Sequence, residues 1–282
     1  MPTRRVRKPT LGEIAGLPYR SHARYRDCIG HWLMGERGGN SVRDISGRGN
    51  TGTLTSMDPV TDWIFGQFGP ALDFDGSDEY VDCGNPSLLD FGTENWTLSI
   101  WIKTGDTSGR VAIGKGGDGT NGIRYYLGIG TGGTGKVSLV CDDNITKETA
   151  LSSDTANDNE WHHIAGQREG TVTRVFLDGL QNGPNNSVNA GYDLSGTSQR
   201  GFKIGAGRNE STGILAKAFI GSLDDARIYH RALSPSEIWS LYEYPLVEFA
   251  PRRIQGKAAA AAGGLSIPIA AYHYGHHLGS MH

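Results

Sequence analysis

An all-β protein, a sandwich or barrel of short antiparallel strands, is what this sequence predicts, and three observations predict it. Glycine supplies 42 of the 282 residues, about twice the usual share of roughly 7% and without a G-X-Y period, which marks many tight turns. From about residue 28 to 230, short β-compatible runs are split by Gly, Asn, Asp and Ser clusters, the spacing of a sandwich or barrel. Where a run is long enough to read, its apolar residues recur at every second position.

Composition excludes several classes. Charged residues are 20% of the chain and the formal net charge is −3, the balance of a soluble globular protein rather than of a disordered or nucleic-acid-coating one. No apolar stretch reaches 18 residues, so no membrane span is expected. The basic start MPTRRVRKPT is not followed by the apolar run of a secretory signal, and export by that route is not expected. The N-x-S/T matches at Asn95, Asn144, Asn185 and Asn209 then read as chance. Cys28, Cys83 and Cys141 are odd in number, widely spaced and without a C-x-x-C pair; buried free thiols are expected.

In chain order the first element is a basic arm, residues 1–27. Arg4, Arg5, Arg7, Lys8, Arg20, Arg24 and Arg26 against Glu13 and Asp27 give it +5, which leaves −8 on the remaining residues. A basic arm on an acidic body can lie on its own domain or on a neighbour's acidic surface, and the apolar and aromatic anchors (Leu11, Ile14, Leu17, Tyr19, Tyr25) with little periodicity put the neighbour slightly ahead. Arg4, Arg5, Arg7, Lys8, Tyr19 and Tyr25 are its expected partner-binding residues.

Strands follow over residues 28–245. The clearest run is NWTLSIWIKT, in which Trp96, Leu98, Ile100 and Ile102 share a core face. Thr97, Ser99, Trp101 and Lys103 then form a polar face carrying one large, exposed-looking aromatic. Further strands are expected at RVAIGK (110–115), IRYYLGIG (123–130), KVSLVCD (136–142), WHHIAGQ (161–167), TRVFLDG (173–179), FKIGAG (202–207) and AFIGSLDDARIYHR (218–231). Turns are expected at Gly132-Gly133, Asn157-Asp158 and Asp178-Gly179. In the strand at 161–167, His162 and His163 point to opposite faces and cannot grip one metal together.

One short helix closes the domain. In LSPSEIWSLY, Ser234 is the N-cap, Pro235 the first helical residue and Glu237 the far side of a capping box, with Leu233 and Ile238 as hydrophobic staple. Ile238, Leu241 and Tyr242 mark its apolar face. Beyond it, residues 246–282 are a low-complexity tail containing KAAAAAGG (257–264) and His273, His276, His277 and His282, expected to be unstructured or partner-bound.

Several motifs in one order now carry a likeness. GHWLMGE (30–36), DISGRGNTGTLT (44–55), FGPALDFDGSDEYVDCG (68–84), NWTLSIWIKT (95–104), NEWHHIAGQREG (159–170), VFLDG (175–179) and FIGSLDDARIYHRALSPSEIWSLY (219–242) resemble the laminin-G-like, concanavalin A-like lectin/glucanase jelly-roll superfamily. The resemblance spans roughly residues 28–243. It implies a two-sheet antiparallel jelly-roll sandwich with the short helix at its end and extended terminal arms. It also implies adhesion or recognition of glycans, proteins or cell walls. A structural calcium, the one cofactor in view, is implied at Asp224 of GSLDDARIY, with a local aspartate paired to Arg227 as the alternative.

Catalysis is not expected. Related glucanases place acidic residues at alternating strand positions, about 5–5.5 Å apart, and no E-x-D-x-E pattern occurs here. The cluster Asp73, Asp75, Asp78, Glu79 and Asp82 is interrupted by glycine and serine and reads as a solvated hairpin tip. No P-loop, G-x-S-x-G or H-E-x-x-H is present.

The leading expectation is a non-catalytic structural or adhesion protein held by its arms in a larger assembly, a phage virion, as a capsid decoration or tail-associated protein. The alternative is a lectin-like module, virion-borne or extracellular, whose concave sheet binds a surface glycan through Trp101, Arg124 and Tyr126. A glycoside hydrolase is the remote third.

Overall fold

The computed structural model describes residues 7–15, 22–116, 122–189, 191–195, 201–208 and 212–249. In chain order the strands begin with β1 (Cys28–Trp32), β2 (Ser41–Val42), β3 (Gly52–Thr55), β4 (Trp63–Phe65), β5 (Pro70–Asp75) and β6 (Tyr80–Asp82). Then come β7 (Trp96–Lys103), β8 (Arg110–Lys115), β9 (Arg124–Ile129), β10 (Lys136–Asp142), β11 (Lys147–Thr155), β12 (Trp161–Glu169) and β13 (Val172–Leu177). The last are β14 (Leu180–Gln181), β15 (Asn186–Ser187), β16 (Phe202–Ile204), β17 (Gly207–Arg208), β18 (Leu215–Ala216) and β19 (Ile220–Tyr229). Helix α1 is Leu11–Ala15 and helix α2 is Pro235–Glu243.

Apart from β17 and β18, which pair only with each other, these strands form the two-sheet antiparallel jelly-roll sandwich. The first sheet runs β14-β13-β12-β7-β19-β5-β4, with β1 also paired to β19 and β15 to β13. The second runs β11-β10-β9-β8-β16-β6-β3-β2. Between them, Trp96, Leu98, Ile100 and Ile102 of β7 face Tyr125, Leu127 and Ile129 of β9 and Val137, Leu139 and Cys141 of β10 in one apolar core. Gly166 of β12 lets the sheets close: a Cβ there would lie 2.8 Å from Leu139 and 3.0 Å from Leu127. All three cysteines are buried and unpaired.

The acidic stretch 73–82 is a turn, but not a hairpin tip. Its two flanking strands, β5 and β6, belong to different sheets, so it is a corner between layers. Asp75 accepts the Ser77 N–H (2.7 Å) and Glu79 the Asp75 N–H (2.7 Å), which spends those carboxylates on holding the corner.

In β19 the register shifts between Asp224 and Arg227. Before the shift the strand pairs with β5, after it with β1. Asp225 takes φ +47°, which turns it to the same outer side of the first sheet as Asp224, whose ladder partner is Trp101. Two consecutive carboxylates therefore enter the protein on one face.

A third layer covers that face. Helix α2 carries the expected capping box between Ser234 and Glu237, and its Ile238 and Leu241 join Leu246, Phe249, Ile14 and Tyr25 in a second apolar cluster against Ala165, Phe176 and Tyr229. The N-terminal segment thus departs from the expectation of an arm reaching a neighbour. Lys8 and Tyr25 are buried within the chain, because the outer face of the first sheet offers them buried carboxylates and apolar surface. Arg7 stays exposed on a local pair with Glu13 (2.6 Å); Arg4, Arg5 and Tyr19 lie outside the described residues, as does the tail from residue 250 on. Among the described residues, apolar packing on the sandwich extends from Ile14 on one side to Phe249 on the other.

Under this layer lies a continuous buried polar chain. Burial, and Arg227 next, push the His31 imidazolium below its usual range. The neutral ring donates from Nε2 to Asp225 (2.7 Å) and accepts the Tyr25 hydroxyl at Nδ1 (2.5 Å). Burial opposes ionisation of Asp225, but Arg227 and His31 outweigh it and hold the group below the usual carboxylate range. Arg227 also pairs with Glu248 (2.7 Å), which pairs with Arg24 (3.0 Å). Replacing Glu248 by Gln keeps the shape and leaves two guanidinium groups buried without their shared anion. We expect urea denaturation to show a loss of about 3–5 kcal/mol; a loss under about 1 kcal/mol contradicts this role.

Candidate functional site

The three residues expected to bind a glycan do not share a surface. Trp101 is on the outer face of the first sheet but only 3% exposed. Its ring stacks on Tyr242 of α2 (5.7 Å, 20°), meets Phe68 edge-on (5.0 Å) and neighbours His163 (5.4 Å). The polar face of β7 is an internal interface, so no sugar can stack there. Arg124 and Tyr126 alternate with the core residues of β9 and so lie on the outer face of the second sheet. Arg124 pairs with Asp142; Tyr126, 0% exposed, packs with Val111 and Val140. On the same face Tyr80 carries Lys203 and Arg208 over its ring, each 5.5 Å from the centroid, which occupies its stacking surface.

Asp224 does not stand open to a metal. The Lys8 ammonium donates to Asp224 Oδ1 and the Pro70 carbonyl, with the Met34 carbonyl at 3.4 Å. The pairing is with Lys8 rather than with Arg227, which turns to Asp225. With Lys8 in place the residues around Asp224 do not fit a calcium ion, because the cation position is already taken by an ammonium. Among the described residues no group of three or more His, Cys, Asp or Glu side chains is arranged to hold a metal.

A different constellation forms where the β13–β14 hairpin meets α2. Asp178 and Gly179 have φ +49° and +80°, the positive values of the two-residue turn their sequence predicts. Gly179 is required twice over, since a Cβ there would sit 3.0 Å from both Trp239 and Tyr242. The turn thereby lies against the helix rings, with Trp239 and Tyr242 at 5.6 Å. Asp178 accepts the His163 N–H (3.0 Å) and binds His162 Nδ1 (2.8 Å). Asp158 takes the other ring nitrogen of His162 (3.0 Å).

The electrostatics of this cluster are fixed by those bonds. The Asp178 hydrogen bond, against burial and with Asp158 adding to it, raises the His162 pKa to about 9. At neutral pH the ring is an imidazolium donating to two carboxylates. Asp158, held below the usual carboxylate range by the Glu160 N–H and His162, stays ionised. Against the Asp178-Gly179 turn stands Trp239, 40% exposed, with Leu180 at 61%. Of six tryptophans, Trp32, Trp63, Trp96 and Trp101 are buried and Trp161 is half-buried, so Trp239 is the one that offers a broad ring to solvent. An indole ring against the turn that carries Asp178 can stack on the apolar face of a sugar while the carboxylate accepts its hydroxyls.

Sequence reasoning placed Trp239 in the helix without singling it out. The signal was there: it lies off the stripe formed by Ile238, Leu241 and Tyr242, and a large aromatic off a helix's buried stripe is one that faces water. The sequence places His162 on a strand face and Asp178 in a turn, and their bond makes them an ordered charged pair near the surface.

A family model described as the concanavalin A-like lectin/glucanases superfamily matches residues 75–239. No curated protein matches the chain. Among solved structures it is similar to domain 4 of AbnA, an extracellular arabinanase from Geobacillus stearothermophilus, in complex with arabinotriose. That similarity has TM-score 0.59 at 18% identity and covers 77% of this chain and 98% of that one. It is also similar to the binding domain of Paraclostridial Mosquitocidal Protein 1 (0.55, 15%, 78% and 52%). A third similar structure is the binding domain of Botulinum neurotoxin serotype D (0.55, 13%, 83% and 53%). The chain spans about half the length of the two toxin domains.

The raised pKa of His162 sets a sign. A group whose folded pKa lies above its usual value stabilises the fold below about pH 6.5 and loses that contribution as pH rises through about 9. The stability difference between the protein and His162→Gln should therefore shrink from pH 6 to pH 10 in chemical denaturation. A pH-independent difference, with His162 titrating near 6.5 by NMR, contradicts the pairing.

Proposed function

Because the chain belongs to the concanavalin A-like lectin/glucanase superfamily, we propose that it is a carbohydrate-binding module whose site is the exposed Trp239 face beside Asp178 and Asp158. The observation that carries this reading is that the most exposed tryptophan stands against a hairpin turn whose carboxylate, Asp178, is held in place by His162. Trp239 provides the stacking platform and Leu180 widens it; the two carboxylates accept hydroxyl protons from the sugar. The arabinotriose bound to the similar arabinanase domain supports a short neutral oligosaccharide as ligand class.

Binding without hydrolysis is part of the proposal. A glycosidase needs one carboxyl group with a raised pKa to protonate the leaving oxygen. At this site the Glu160 N–H and the His162 imidazolium do the reverse and hold Asp158 below the usual carboxylate range. The reading as an assembly-bound structural protein has less support, because Lys8 and Tyr25, two of the residues meant to fasten it to a partner, are spent inside the fold.

The test is isothermal titration of the full chain with a panel of neutral oligosaccharides that starts from arabinotriose. We expect one to bind and Trp239→Ala to weaken it at least about tenfold, the loss of one stacking contact of roughly 1.4 kcal/mol or more, with an unchanged melting temperature. A panel without any ligand, or equal affinity in Trp239→Ala, would falsify the proposal.

A further inference from the structure

The surroundings of Lys8 are those of a bound cation. Its ammonium is buried with Asp224, both at 1% side-chain exposure or less, and its oxygen neighbours are one carboxylate and the carbonyls of Pro70 and Met34. Lys8 is anchored there by its own N–H to the Phe68 carbonyl (2.9 Å). The turn that carries the Phe68 carbonyl and leads into Pro70 is pinned by a bond from the Gly66 N–H to the Gly69 carbonyl (2.6 Å). The second Asp224 oxygen, Oδ2, is buried and has no hydrogen-bond partner. A carboxylate, backbone carbonyls and one unspent carboxylate oxygen are the donors a hard metal cation selects, and here a side chain from the start of the sequence is bonded to them.

We infer that this cage is a cation site whose resident cation is the Lys8 ammonium, and that a calcium ion and the N-terminal segment are alternative occupants of it. Buried charge is the reason the occupants exclude each other. One carboxylate compensates one ammonium, and adding a divalent ion beside Lys8 would bury excess positive charge. Removing Lys8 reverses the situation. Asp224 becomes a buried anion without a partner, even now pushed up to about 7 by burial, and the space of the ammonium is left to a metal ion and water. Calcium fits better than magnesium because it accepts an irregular set of six to eight oxygens, whereas magnesium requires a near-ideal octahedron.

The experiment uses the full chain, Lys8→Met, which keeps the apolar stem, and the double variant Lys8→Met with Asp224→Asn. Calcium chloride is titrated calorimetrically at constant ionic strength, with melting curves in calcium, magnesium or neither. We expect the unaltered chain to bind no calcium at millimolar concentration and its melting temperature not to respond. Lys8→Met should melt lower, bind one calcium and regain about 5 °C or more, and the double variant should bind none. If Lys8→Met folds only with metal, native circular dichroism recovered in calcium and not in magnesium supports the inference. Calcium bound by the unaltered chain and lost in Asp224→Asn overturns it. So does a Lys8→Met protein that is folded, or fails to fold, irrespective of calcium.

Discussion

The structure depends on the neutralisation of two consecutive carboxylates that a β-bulge turns to the same side of a sheet. Ionised groups away from water cost several kcal/mol each unless paired, and Asp224 and Asp225 are both buried. Each is answered by a different part of the chain: Asp224 by Lys8 from the beginning, Asp225 by Arg227 on its own strand and by His31 on β1. Arg227 in turn requires Glu248, and Glu248 requires Arg24. The guanidinium of Arg24 also reaches the Tyr244 carbonyl (2.5 Å) and the Ser240 carbonyl at the end of α2, where the helix dipole favours a cation. One electrostatic demand thus draws both flanks of the sandwich onto the outer face of the first sheet.

That closure decides where recognition can occur. A jelly roll offers two broad sheet faces, and here the chain covers one of them itself. Trp101, which alone on its strand looks like a ligand platform, becomes a packing residue. The exposed tryptophan is at the rim, where α2 meets the β13–β14 hairpin and its Asp178-Gly179 turn. The covering layer is what gives that rim its rigidity, since the same helix that buries Ile238 and Leu241 presents Trp239.

Much of the sandwich was legible because β-strands declare themselves by alternation. β8 and β10 begin and end where the sequence places them, β7 buries the face it predicts, and the helix carries the expected cap. The strand β11 was not legible: KETALSSDT at the edge of the second sheet has little apolar alternation, since an edge strand is only partly buried. The third layer was not legible either. A period of two separates two faces of a strand but does not say what lies over the polar one. A basic segment reads as solvated or partner-bound until its buried carboxylate partners are located, and two adjacent aspartates in a strand read as pointing opposite ways until the bulge between them is known. Of the candidate site, the Asp178-Gly179 turn was readable from its dipeptide, while its contact with Trp239 joins residues 60 apart in sequence and needed the fold.

Amide hydrogen exchange on the full chain tests the central claim most directly. If the chain's own flanks are packed to neutralise the β19 carboxylates, the amides of Ile14, Tyr25 and Phe249, each bonded to a backbone carbonyl, should open with free energies approaching those of β7. Exchange at these three positions near the rate of an unstructured peptide, with β7 still protected, would contradict the account.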